Sequence, residues 1–549
     1  MKIAPVVLAV TLIALVPVSN PLARAQMPFT TIALSGQPAP GIPGATIASV
    51  RDSIVTGPAG HVALWASFSG PGISHSADEA LWVGRPGSLQ LVARANDPAP
   101  EVDDHAVFSN FSYETVVNST GQVAFRAAIV VRGVDDEVPD YAIYAGSPGS
   151  LKLLARSART VPELDTTTRI GWDLRPLAYN ASGQVALIAG LFSDTPDAPY
   201  QQGVLVGAPG SLKFIAKTGQ QAPGFPQGLV YHGYASDGDD FAVQRLTDAG
   251  RVLFAADVIH PDSTDTPRRA FWTGTPGSVQ RLVYDGQPAP SIEPNRVIRY
   301  PTLSTNASAQ MVLVCGLSDS PANDPSESAL YVGTPDTLRL IARTGQQAPG
   351  MPPAVTYQAF FYNSIISPVI NDTGIIAFSA NLHIPGTPEG FIHEGLWLGP
   401  PDHLKLIAAF DQRPPGLPDG FDFYGFEPQL NNLGQLIFRA WFQAPGPQFG
   451  AGVWTLDPSG NPTLLFADGH LFDVGNGDFR TITRFQLGQL NDLGQLPFWA
   501  SFSDGSAGLF IATIPEPATL SLLPLSALML LRRLRCRVAL ISLKKENHP

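Results

Sequence analysis

The sequence predicts an all-β protein: an eight-bladed β-propeller of four-stranded antiparallel blades, with an N-terminal strand closing the last blade. Three observations lead there. An eight-residue phrase returns along the chain, as "NSTGQVAF" at 118–125, "NASGQVAL" at 180–187, "NDTGIIAF" at 371–378 and "NDLGQLPF" at 491–498. A second phrase built around a Pro turn follows it in each unit. The two chain ends then carry complementary parts of one incomplete unit.

The glycine of the first phrase stands at Gly60, Gly121, Gly183, Gly250, Gly374, Gly434 and Gly494, with Ala309 in the fifth slot, at intervals of 59 to 67 residues. Eight units of this size fill the chain between its ends, which is the mark of a repeat architecture. Within the phrase, Asn118, Asn180, Asn371 and Asn491 are suited to cap a tight turn through the side chain. Gly121, Gly183, Gly374 and Gly494 are suited to positive φ. That is a three-residue hairpin loop, so each copy is a hairpin tip. Ala309 and the copy "GPAGHVAL" at 57–64 depart from the phrase and predict altered turns.

The second phrase reads "LWVGRPGSLQLVAR" at 81–94, "IYAGSPGSLKLLAR" at 143–156 and "LYVGTPDTLRLIAR" at 330–343. Two apolar runs flank a Pro turn, so each unit holds four strands. Runs such as "VAFRAAIVV" and "LKLLAR" are apolar on both strand faces, as blades packed face to face require. The last unit ends on "GLFIAT", 508–513, without the strand that should follow its turn. The segment "FTTIALSGQPAPG", 29–41, matches that missing strand as seen in "LRLIARTGQQAPG", 338–350. A closed ring explains this exchange; an open solenoid or a string of small β-domains does not need it.

Composition agrees. Gly and Pro number 52 each, and charged residues are 15% against a usual ~25%. A net charge of −12 excludes nucleic acid as a partner, since phosphate binding needs clustered Lys and Arg.

Both ends read as export signals. Residues 1–25 hold Lys2, an apolar run and the small-residue site Ala23-Arg24-Ala25, the pattern of a signal peptide removed by signal peptidase. Residues 515–537 hold Pro515, Glu516 and Pro517, then an apolar run, then Arg532, Arg533, Arg535 and Arg537. An apolar stretch followed by arginines halts translocation and anchors the chain transiently in the membrane. This segment resembles the PEP-CTERM sorting signal of Gram-negative bacteria. The resemblance implies processing by an exosortase and a final location at the cell surface or in the extracellular matrix. The tail at 538–549 departs from that pattern. The body between, 26–514, is the predicted propeller, and it resembles the NxxGxxAF tandem-repeat bacterial surface proteins, named for the opening phrase.

No motif specifies a reaction. Zinc, Walker, Rossmann and nucleophile-elbow signatures are absent, and no cofactor is implied. His393 beside Glu394 lacks a second ligand at helical spacing, and Cys315 in "MVLVCGL" reads as core. The acidic stretches at 134–140, 236–241 and 473–479 lack the spacing of a calcium loop and read as solvated turns. The phrase after the fourth strand, "SGQPAPG" at 35–41 and "TGQQAPG" at 218–224 and 344–350, offers Gln37, Gln220, Gln287 and Gln346 as a partial ring of amides on one face. Amides beside rigid proline suit sugars or protein partners. The expected function is a non-catalytic surface or matrix protein that binds exopolysaccharide or another surface protein. The alternative is a glycan hydrolase or lyase with its site at the central channel.

Overall fold

The computed structural model describes residues 29–514, except 75–77, 103–104, 133–139, 160–167, 194–199, 233–240, 261–266, 361–367, 388–392 and 444–448. Eight antiparallel sheets follow one another along the chain as the blades of a propeller. Blade 1, for example, is Thr46–Thr56, Val62–Ser69, Glu79–Gly84 and Gln90–Arg94, each strand pairing with the next. Blade 8 adds a fifth short strand, Leu471–Asp473, beside Phe479–Leu487, and blades 4 and 6 also differ from the expected four strands. Their first strand is split, into Val230–Tyr231 and Phe241–Leu246 in one and Thr356–Ala359 and Val369–Ile370 in the other. First strands of neighbouring blades touch: Thr46–Thr56 meets Ala106–Val117, which meets Thr168–Tyr179. The first strand is therefore the one nearest the ring axis.

Each hydrophobic core lies between two blades. In Val62–Ser69, Leu64 and Ala66 pack with the last blade, around Leu509 and Ile511. The alternating Ala63 and Trp65 pack with the second blade, around Phe108 and Phe125. Side chains alternate across a strand, so a sheet covered on both faces must be apolar at nearly every position. The ring closes as the mismatched ends predict. Phe29–Leu34 runs antiparallel to Ala507–Thr513, with Phe29 opposite Ala512 and Leu34 opposite Gly508.

The repeated phrase does more than turn the chain. The Asn118 side-chain oxygen accepts from Thr120 N at 3.0 Å and Gln122 N at 2.9 Å, and Gly121 takes φ 84°. Its amide nitrogen donates to Gln122 Oε1 at 2.9 Å and to the main-chain oxygen of Asn180, in the next blade, at 3.0 Å. The same inter-blade bond runs from Asn180 to Thr247 O, from Asn306 to Asn371 O, from Asn371 to Asn431 O and from Asn431 to Asn491 O, at 2.9–3.1 Å. A second rung joins the following residues. Ala307 N donates to Asp372 Oδ1, Asp372 N to Asn432 Oδ1 and Asn432 N to Asp492 Oδ1.

The glycine is fixed from two sides. Gly494 takes φ 69°, and a β-carbon there would lie 2.7 Å from Gln435 Oε1 of the preceding blade. At the seam of blades 4 and 5 both partners depart from the phrase. Blade 4 has Thr247 and Arg251 in the Asn and Gln places, and blade 5 has Ala309 at φ 60°. The connector before each blade is pinned as well. Trp82, Trp272, Trp397 and Trp454 donate Nε1–H to the carbonyls of Pro40, Pro223, Pro349 and Pro415 at 2.7–3.0 Å.

Two predictions follow from this joint. Asn371→Ala removes the turn cap and one of the two hydrogen bonds to the Asn431 carbonyl, and should cost about 2–3 kcal/mol. Gly494→Ala should cost about 2–3 kcal/mol, whereas Ala309→Gly should change stability by only about 0.5 kcal/mol. Denaturant midpoints give the order, and a neutral Asn371→Ala would refute the joint. Deleting residues 29–36 should expose the edge of Ala507–Thr513 and lower the unfolding temperature sharply, with association. A monomer of unchanged stability would count against closure.

Candidate functional site

The four glutamines of the connector phrase act first on their own backbone. Gln37, Gln220, Gln287 and Gln346 accept, through Oε1, the N–H of Leu34, Lys217, Tyr284 and Arg343 at 3.0–3.2 Å. Gln37, Gln220 and Gln346 are exposed and Gln287 is half-buried. Each carboxamide is oriented by the strand end it caps. The processing residues Ala23, Ala25, Pro515, Glu516, Pro517, Arg532, Arg533 and Arg535 lie outside the described residues, as do 134–139 and 236–240. Among the described residues, no helix is long and apolar enough to cross a membrane, and no group of three His, Cys, Asp or Glu is placed to hold a metal ion. In the third acidic stretch, Asp473 caps Gly475 N and Asp478 pairs with Arg480. Cys315 and His393 are buried. Burial pushes the Cys315 thiol up, and His393 stands edge-on to Phe410 at 4.4 Å.

The functional signal lies in positions where one blade differs from its equivalents. The fourth residue of the second strand faces a seam between blades. It is Trp65, Ile188, Ala255, Val314, Ser379 or Trp499 in six blades, but Arg126 and Arg439 in two. The sequence carried this clue, as a lone arginine in "VAFRAA" and in "LIFRAW", although the phrase comparison did not single it out.

At the seam of blades 2 and 3, Arg126 Nη2 donates to the carbonyl of Trp172 at 3.0 Å. Its guanidinium also lies 4.2 Å over the Tyr141 ring and 3.6 Å from Glu114. Trp172 belongs to a bulge of the innermost strand Thr168–Tyr179, between Ile170 and Leu174, and its ring is 61% exposed. Next to it, Asp173 accepts from Tyr200 Oη at 3.1 Å and Gln202 Nε2 at 2.9 Å, and pairs with Arg175 at 3.0 Å. Burial pushes the Tyr200 phenol up to about 12, so it remains a donor at neutral pH. Two glycines admit this packing. A β-carbon at Gly190 would meet Tyr200 Oη at 2.5 Å, and one at Gly171 would meet the Phe192 ring at 3.0 Å. Phe192, 40% exposed, extends the apolar surface beside Tyr200. An open indole next to a fixed carboxylate, amide and guanidinium offers a stacking face and directional polar groups together.

A family profile matches residues 23–140 and 134–521. The chain belongs to a family of unknown function (DUF7453). No curated protein matches it. Among solved structures, the β-propeller domain of the Trilobed protease from Pyrococcus furiosus is similar at 11% identity, covering 76% of this chain and 98% of that one, with a TM-score of 0.34. The WD40 domain of SCAP from fission yeast is similar at 7% identity, over 89% and 99% of the two chains, with a TM-score of 0.37. The acylaminoacyl peptidase of Pyrococcus horikoshii is similar at 11% identity over 82% of this chain, which spans only 57% of that peptidase, with a TM-score of 0.35. These likenesses carry no functional argument.

A third seam holds a carboxyl whose cost can be measured. Glu394, between blades 6 and 7, accepts Phe426 N at 3.0 Å, and burial pushes its carboxyl above the usual range. The neutral acid is then favoured in the folded state. Its contribution is fully present below the ordinary carboxylate pKa and is lost as pH rises through the higher folded value. Glu394→Gln should therefore raise the unfolding temperature more at pH 8 than at pH 4. An equal effect at both would show that burial does not raise this carboxyl's pKa in the folded state.

Proposed function

We propose that the protein is an exported surface or matrix protein that binds exopolysaccharide, without catalysis, through the inner-strand platform at the seam of blades 2 and 3. The observation that carries this reading is Trp172, an indole left 61% exposed in a bulge of the innermost strand, whose other aromatic, Tyr179, is half-buried. An exposed aromatic face is apolar surface awaiting a partner, and the C–H face of a sugar ring suits it. Asp173, Gln202 and Arg175 supply acceptor and donor groups for hydroxyls at its edge, already oriented by their own bonds. Asp173 is held by three partners, which favours recognition over proton transfer. The terminal segments supply the address in this reading: signal peptidase removes 1–25, and an exosortase processes 515–537 after transient membrane anchoring.

The test is affinity electrophoresis of the purified full chain in gels cast with polysaccharide extracted from the producing cells. Retention is expected. Trp172→Ala should weaken it at least about tenfold, the equivalent of about 1.4 kcal/mol, with no change in unfolding temperature. A wild-type chain that no polysaccharide retains would overturn the reading, and release of new sugar ends from the bound polymer would overturn its non-catalytic half.

A further inference from the structure

The seam of blades 7 and 8 forms a half-open 240 Å³ cavity lined by Arg439, Asp468, Thr483, Arg484, Phe485 and Gln486. Arg439 is the second of the two singular arginines. Its guanidinium lies 5.0 Å over the Trp441 ring and 5.4 Å over Phe485, and among the described residues Nε has no hydrogen-bond partner and no carboxylate forms an ion pair with it. A half-buried guanidinium without an anion is a costly arrangement unless something else supplies the anion.

Asp468 is equally surplus to the fold. It stands at the end of the fourth strand, where Ser35, Ser157, Thr218 and Thr344 stand in four other blades; the equivalent Asp285 of blade 4 is paired with Arg299. Those hydroxyls accept the N–H of Ala507, Tyr141, Gln202 and Ser328 at 2.9–3.2 Å. Asp468 Oδ2 performs the same task for Ala451 N at 3.0 Å, which leaves Oδ1 buried with no partner. A hydroxyl would have sufficed. The second oxygen and the unpaired guanidinium border one cavity, with Thr483, Arg484 and Gln486 on its other wall.

We infer that this cavity binds the carboxylate-bearing ring of an acidic sugar, its carboxylate accepting from Arg439 and its hydroxyls meeting Asp468, Thr483 and Gln486. The cavity equals roughly eight waters at ~30 Å³ each, too large for a bare anion and small for a disaccharide. A planar guanidinium matches a carboxylate as a fork. Burial pushes the Asp468 carboxyl up to about 6, against the pull of Arg439, so its repulsion of a bound anion falls away only as pH drops below that value. The sugar half of the inference rests on the polysaccharide-binding reading; the site itself is separate from Trp172.

The experiment is calorimetric titration of the purified full chain with sodium glucuronate, its methyl ester, and acetate. Glucuronate should bind at least tenfold more tightly than the ester or acetate. Arg439→Gln should abolish binding, and Arg439→Lys, which keeps the charge but loses the fork, should weaken it at least threefold at an unchanged unfolding temperature. Equal affinity for acid and ester overturns the carboxylate contact, and equal affinity for acetate overturns the sugar. Wild-type affinity in folded Arg439→Lys also overturns the inference. Loss of glucuronate binding with polysaccharide retention through Trp172 intact would sink this site alone.

Discussion

A single amide hydrogen bond, from the side chain of one blade's turn asparagine to the main-chain oxygen of the next, sets how neighbouring blades sit. Among the described residues no two named strands pair across a seam; the connectors bridge to the next blade's first strand, as Pro38 does to Thr46, and apolar packing holds the sheet faces together. Packing of that kind is non-directional and tolerates sliding. The bond from Asn118 to Asn180 O supplies a fixed distance and direction. Because the same asparagine also caps its own turn, the hairpin tip and the inter-blade joint are one object. Its oxygen and both of its amide hydrogens are engaged, which is what a fully buried carboxamide requires.

The joints are not uniform, and the exceptions obey the same physics. Gly57 stands in the asparagine place of blade 1 and has no side chain to donate; a β-carbon there would lie 2.7 Å from Asn118 O. The closing seam is held by other means. Trp499 donates to Val50 O at 2.9 Å in a buried contact, and Phe29–Leu34 completes the last sheet. The seam between blades 4 and 5 replaces the absent amide with Arg245, which donates to Thr305 O at 2.7 Å. Seven seams thus keep a directional contact to a main-chain oxygen, and between blades 1 and 2 Trp65 donates instead to the Thr115 hydroxyl at 2.9 Å.

The architecture was legible in the sequence because every element of it is repeated. Periodic turns, two-faced apolar strands and an orphan strand at each end sufficed to expect a closed ring. The reach of Asn118 into the next blade was not legible, because a turn cap and an inter-blade donor call for the same residue. The split first strands of blades 4 and 6 were also hidden, since nothing in the repeat phrase marks them. For the site, repetition misdirected attention. The recurring glutamines Gln37, Gln220 and Gln346 stood out because they recur, and their recurrence has a backbone cause: each caps the strand before it.

That contrast bears on how function is carried by such a ring. Eight copies of a structural solution fix what each position needs for folding, so they act as internal controls for one another. A neutral side chain is enough at the end of the fourth strand in six blades and in the second strand in six; Asp285, the other carboxylate at the strand end, is paired with Arg299. Where one blade puts a carboxylate or a guanidinium in those places, folding does not explain it, and burial of the charge opposes it. Arg126, with Trp172 held open beside it, and Arg439, with Asp468 across a cavity, are both departures of this kind. They lie at different seams of one ring, near the inner strands. A long polymer could meet both places, at one through stacking and at the other through charge, which a single compact pocket would not allow.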